Sequence, residues 1–254
     1  MVLTVSQDQV EQMSIPKSIL LHLFPGVLIF IFDILAAPFV EQLGFPTILT
    51  LILANLVILI PVELVILLYM NKKENGTFNI KELIPYFEPL SLKNSIGLIA
   101  LTFIWAFLVN MLMFPVTAFL SENVFAWMPE VFFSTDPATL ETIDFTQYPQ
   151  INLMIVLLLA ILGIGIGVPI VEELYFRGYL MSRISRFSIW ASVISVALWA
   201  LYHFWAPWSF LAYLIAFIPI AYVVLKTKNL YIAIIGHMVA NLFLVISLVP
   251  LILG

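Results

Sequence analysis

The chain has 254 residues, of which 63% are apolar and only 10% charged, with a formal net charge of −5 and a mean hydropathy of +1.13. That composition excludes an ordinary soluble domain, and continuous apolar runs exclude a membrane barrel, whose strands alternate apolar and polar residues. A polytopic, all-α transmembrane bundle is left, and the lack of Cys removes disulfides and thiolate ligands from the argument.

Met1 to Ser18 is polar, with no apolar core or small-residue cleavage site, so it reads as an N-terminal segment and not as a signal peptide. Seven spans follow: Ile19 to Val40, Thr47 to Met70, Ile96 to Leu120, Ile151 to Met181, Ile189 to Trp205, Ser209 to Leu225 and Leu230 to Leu251. Residues 19–150 form a section of three helices with their loops, and 151–254 form a core of four. Lys72, Lys73, Lys81 and Lys93 follow span two, Arg183 and Arg186 span four, Lys226 and Lys228 span six. The alternate connections hold no Lys or Arg, and the longest, Ser121 to Gln150, carries Glu122, Glu130, Asp136, Glu141 and Asp144. The positive-inside rule then puts the N-terminus in the cytoplasm and the C-terminus outside.

Ile80 to Asn94 mixes apolar and charged residues around Pro85 and Pro89, the pattern of a segment lying along the cytoplasmic interface. Phe125, Trp127, Phe132 and Phe133 read as an interfacial aromatic belt on the other side. Asp136-Pro137 reads as an N-cap followed by proline at the first position of a short helix.

Span four matters most. Its apolar run is 21 residues long, from Ile151 to Val171, before Glu172, Glu173 and Arg177. Charges at that depth are expensive and functional by default. Glu173 and Arg177 are i and i+4 and can neutralise each other; Glu172 is turned about 140° from Arg177 and has no partner in its own helix. An unpaired buried carboxylate is the kind of group that general acid–base catalysis uses. Just ahead, Gly163 and Gly167 form a GxxxG pair for close helix contact, and Pro169 removes a donor, so the helix should loosen before the acid.

Other spans carry Asp33, Glu63, Asn55, Asn110, His203, His237 and Asn241. Asn55 and Asn110 read as interhelical hydrogen-bonding residues, Glu63 as a second counter-ion for Arg177, and His22 as an interfacial residue. His237 and Asn241 share a helix face, as do Trp199 and His203. At 1.5 Å per residue, His237, Glu172 and His203 lie about 10, 15 and 20 Å from the basic ends of their spans, depths that suit one shared site.

Glu172-Glu173-x-x-x-Arg177, Trp199-x-x-x-His203 and His237-x-x-x-Asn241, in that order, resemble the three motifs of the CAAX protease and bacteriocin-processing family of intramembrane proteases. The family includes the type II CAAX prenyl endopeptidases, or Ras-converting enzymes. The resemblance covers about the last four spans, Ile151 to Val249, with one departure: the family usually has Phe where Trp199 stands. It implies a membrane endopeptidase in which Glu172 and His203 activate water, His237 and Asn241 stabilise the oxyanion, and Glu173, Arg177 and Trp199 support the site. It further implies no cofactor and no metal. The partners would be membrane lipid and a peptide substrate, either a prenylated CAAX-type tail or a bacterial leader or signalling peptide; nothing points to nucleic acid. Three other classes fit the residues. Glu172, His203 and His237 are a two-His, one-carboxylate set for a zinc hydrolase, and buried acids beside a broken helix suit a transporter or a non-catalytic membrane partner such as an immunity protein.

Overall fold

The computed structural model describes residues 10–135, 137–140 and 142–253. In chain order the main helices are α1 (Ile15–Gln42), α2 (Ile48–Asn75), α3 (Leu92–Val124), α4 (Gln150–Leu180), α5 (Trp190–Tyr202), α6 (Pro207–Thr227) and α7 (Tyr231–Leu253). All but α5 are long and apolar enough to cross a membrane. Among the described residues there is no strand, only an isolated antiparallel bridge between Phe87 and Asn229. The protein is an all-helical, multi-pass membrane protein, as its composition requires.

α5 is shorter than its apolar run. Its 13 residues extend about 20 Å, against a hydrocarbon core of about 30 Å. The helix ends because His203 leaves helical geometry, with φ −73° and ψ 58°, and because Ala206 precedes a proline, which disfavours the helical region. The chain turns back at once into α6. The space beyond this turn is filled by aromatic rings of the connection after α3. Phe133 stacks on Trp208 with centroids 5.0 Å apart, Phe125 lies 6.4 Å from the same ring, and Phe132 stacks on Phe30 of α1 at 4.7 Å. Only Trp127 of the four expected belt residues is fully exposed, at 76%. The belt reading is therefore corrected: three rings are drawn inward because the short helix leaves apolar volume to fill. The connection continues into the short helix Pro137–Leu140; its expected cap, Asp136, lies outside the described residues. Further on, the side-chain hydroxyl and backbone N–H of Thr146 hold the exposed carboxyl of Asp144 below the usual carboxylate range.

The basic end is also more closely packed than expected. Part of Ile80 to Asn94 turns inward, with Leu83, Ile84 and Tyr86 buried, while residues 91–94 stay exposed. The Glu88 N–H donates to the Lys228 carbonyl and the Leu230 N–H to the Tyr86 carbonyl, both at 2.8 Å. Gly178 admits this segment, since a Cβ there would stand 2.9 Å from Ile84 Cδ1. Arg183 pairs with Glu74 at 2.6 Å.

α2 and α4 run parallel and in register. A Cβ on Gly163 would stand 3.0 Å from Leu56 Cδ2, and one on Gly167 2.9 Å from Ile60 Cδ1. Each helix contributes residues four apart, so the GxxxG pair works as the sequence suggests. α4 is wound with π-helical turns at Ile161–Gly167 and again at Glu173–Leu180, with only Val168–Glu172 α-helical between them. The backbone thus loosens ahead of Glu172, as Pro169 and the glycines imply, and also after it. Such turns re-aim side chains and recur at functional sites.

Three polar residues behave differently from expectation. Asn55 and Asn110 donate to the carbonyls of Leu51 and Ala106, each at 2.8 Å and within their own helix; the carbonyl four residues back is nearer than any partner across an interface. His22 is buried rather than interfacial, with Nδ1 2.8 Å from the Ser18 carbonyl and Nε2 3.2 Å from Ser195 Oγ.

Candidate active site in the membrane

Glu172 ends the α-helical stretch between the two π-helical segments and is 3% exposed. It has no partner on α4, in keeping with its angular position. Its partners come from α5: the Tyr202 hydroxyl donates to Oε1, and the Trp199 indole Nε1 donates to Oε2 at 3.3 Å. Two donors from neighbouring turns of one helix thus hold both oxygens of one carboxylate.

Trp199 holds His203 as well. The imidazole Nδ1 lies 2.9 Å from the Trp199 carbonyl. A carbonyl only accepts, so Nδ1 carries the proton in this bond and Nε2 keeps its lone pair. The His203 ring is boxed by Trp199, Tyr202, Trp205 and Tyr213, with centroids 4.3 to 4.9 Å away.

The second acid has a separate set of contacts. Glu173 Oε1 lies 3.3 Å from Arg177 Nη1, and both side chains are fully buried. The same oxygen lies 3.0 Å from His237 Nδ1, a contact the sequence does not announce because 64 residues separate the two. Arg177 is also stacked, its guanidinium carbon 4.2 Å from the Trp199 ring centroid and 5.3 Å from that of Phe217. Cation–π contacts of this kind add attraction where water is absent. His237 completes the circle, with its ring 6.3 Å from Trp199 and 5.4 Å from Phe217.

The structure therefore gathers Glu172, Glu173, Arg177, His203 and His237 around Trp199. Asn241 is on the rim: its Nδ2 donates to the carbonyl of Ile164 at 2.9 Å, within the first π-helical segment. One amide hydrogen of Asn241 is thus used to satisfy backbone that the wider winding exposes. Gly236 makes no tight approach, since the nearest atom to a Cβ there would be Thr102 Oγ1 at 3.6 Å. Glu63 is fully buried on α2, close enough to Glu172, Glu173 and Arg177 to interact electrostatically, yet among the described residues neither of its oxygens has a hydrogen-bond partner, and no ion pair with Arg177 forms within 4.0 Å. Asp33 is likewise buried, with no partner for Oδ1 among the described residues. Among the described residues no three His, Asp or Glu side chains are gathered so that they could hold a metal ion; Glu172, His203 and His237 face different partners.

Tyr202 is the residue that sequence reasoning passed over. It counts as apolar in any search for buried charge, and only its place beside His203 hinted at a role.

Residues 154–243 match the family model described as "Type II CAAX prenyl endopeptidase Rce1-like". A curated relative, "UPF0177 protein YxdF" of Lactococcus lactis subsp. lactis (strain IL1403), is 40% identical over 80 residues, which is 32% of this chain and 45% of that protein. The match thus spans less than half the length of this relative. No solved structure matches the chain. The matched region contains Glu172, Glu173, Arg177, Trp199, His203, His237 and Asn241, so the residues that carry the motif resemblance are those the fold brings to one place. By these residues and this match, 154–243 is similar to the type II CAAX prenyl endopeptidase Rce1-like family.

Proposed function

We propose that the protein is a glutamate-dependent intramembrane endopeptidase. The observation that carries this reading is that Trp199 holds both Glu172 and His203, the first through its indole and the second through its carbonyl. Glu172 retains a lone pair on each oxygen, and His203 retains Nε2 as an acceptor. A water between them donates one hydrogen to each, leaving its own lone pair for the scissile carbonyl carbon. Glu172 takes the proton and returns it to the leaving amine, a general base and then a general acid.

The oxyanion needs donors. His237 gives Nδ1–H to Glu173, so its Nε2 donates to the oxyanion only in the imidazolium form. The second amide hydrogen of Asn241 is the other donor. Each well-placed donor contributes about 3 to 4 kcal/mol to such a step. Glu173 thus has two duties, charge partner of Arg177 and orienter of His237. The basic ends of α2, α4 and α6 face the cytoplasm in this reading, and substrates reach Glu172 from that side. They are prenylated CAAX-type tails or leader and signalling peptides.

The test is turnover by purified protein on a panel of prenylated and unmodified peptides, beside a Glu172→Gln control. Cleavage lost in the control supports the reading. Wild-type protein that cleaves nothing in the panel would favour a non-catalytic partner or a transporter. Stoichiometric metal, with activity lost on stripping and restored on addition, would favour a zinc hydrolase.

A further inference from the structure

None of the three motifs includes Tyr202, yet its contacts make it part of the site. Tyr202 is fully buried, its hydroxyl donates to Glu172 Oε1, and its ring lies 5.0 Å from Phe176 of α4. Trp199 occupies the other carboxylate oxygen. A charge-assisted hydrogen bond to a carboxylate is roughly twice as strong as a neutral one, and two of them on opposite oxygens fix the rotation of the group. Otherwise its last torsion is broad.

The backbone of Tyr202 is fixed from another direction. Its carbonyl accepts the Phe204 N–H at 2.8 Å, closing an inverse γ-turn centred on His203, whose φ of −73° and ψ of 58° suit that turn. α1 crosses directly over this carbonyl at Gly26. A Cβ on residue 26 would overlap the Tyr202 oxygen and approach Tyr202 Cδ2 to 3.0 Å. The glycine is required by close approach, since backbone and not a flexible side chain occupies the space.

We infer that Tyr202 is a positioning residue for the Glu172 carboxylate, seated by Gly26 of α1, a helix outside the matched region 154–243. Tyr202 orients Glu172 so that one lone pair on each oxygen stays open, and the turn beginning at its carbonyl sets the place of His203. Displacing that one peptide unit shifts both groups together. The kinetic consequence rests on the endopeptidase reading; the geometric one does not.

Infrared difference spectra of the purified protein separate the two. Glutamate labelled with ¹³C at the side-chain carboxyl, with Glu172→Gln as reference, identifies the Glu172 band. That band should move in Tyr202→Phe, which deletes only the hydroxyl, and move again in Gly26→Ala. On a cleaved peptide, Tyr202→Phe should lower kcat by about tenfold or more with KM nearly unchanged, the pattern of an interaction made chiefly in the transition state. Its melting temperature should stay near that of the wild type. A Glu172 band unmoved in Tyr202→Phe overturns the inference, as does a moved band with unchanged kcat. A moved band in a protein that cleaves no peptide upholds the geometry and counts against the endopeptidase reading alone. Should Gly26→Ala fail to fold, Tyr202→Phe decides the matter.

Discussion

The indole of Trp199 donates to Glu172 Oε2 across 3.3 Å, a bond that the phenylalanine usual at this motif position has no means to make. The departure from the family pattern is therefore a chemical gain: the ring keeps its cation–π contact with Arg177 and its edge-to-face contact with His203 and adds a donor at the acid. Trp199→Phe should accordingly leave the fold intact, since ring volume is largely kept, and lower turnover by less than the loss of the acid itself. Paired melting and rate measurements check it; an equal loss in Trp199→Phe and Glu172→Gln would show that the indole hydrogen bond matters as much as the acid, against this expectation.

Glu172→Gln keeps the Tyr202 contact and the Glu173–Arg177–His237 group while removing the base. The expected result is a folded, detergent-stable protein with activity reduced at least about a hundredfold, the scale of general-base loss. Cleavage at the wild-type rate by this variant would end the proposed mechanism.

Glu173→Gln strips the charge partner from Arg177 and the orienting carboxylate from His237. Breaking a buried pair costs about 3 to 5 kcal/mol, so a lower melting temperature should accompany lost activity. An inert variant with an unchanged melting temperature would mean that Glu173 serves chemistry alone.

Glu63 differs, because among the described residues its oxygens make no hydrogen bond, and no ion pair with Arg177. Replacing a buried, unsatisfied carboxylate by an apolar group of similar volume is commonly neutral or stabilising. Glu63→Met should therefore melt no lower than the wild type. A large fall would mark it as the second counter-ion that the sequence suggested.

Orientation is testable because the chain has no native Cys. Lys73 and Thr142 are both exposed, at opposite ends of the bundle. Lys73→Cys should label from the cytoplasm and Thr142→Cys from outside; the reverse would overturn both the orientation and the proposed side of access.

The sequence by itself determined the helical membrane class and the identity of the charges buried beside Glu172. Hydrocarbon admits few alternatives to helices, and charges that follow directly on a run such as Ile151 to Val171 cannot be mistaken for surface. It also determined the Glu173–Arg177 pair, the loosened backbone before Glu172 and the Gly163–Gly167 contact, since all three follow from local geometry on one helix. What α4 could not reveal is what meets it. The Glu173–His237 bond, the hold of Tyr202 and Trp199 on Glu172, and the notch at Gly26 join residues from different helices, and their register is set by packing. α5 makes the same point. Its apolar run reads as a crossing helix through Trp205, but the turn at His203 and the aromatic fill behind it end the helix at Tyr202. Hydropathy records that such residues avoid water; only the neighbours they pack against decide where the helix stops and which oxygen each donor finds.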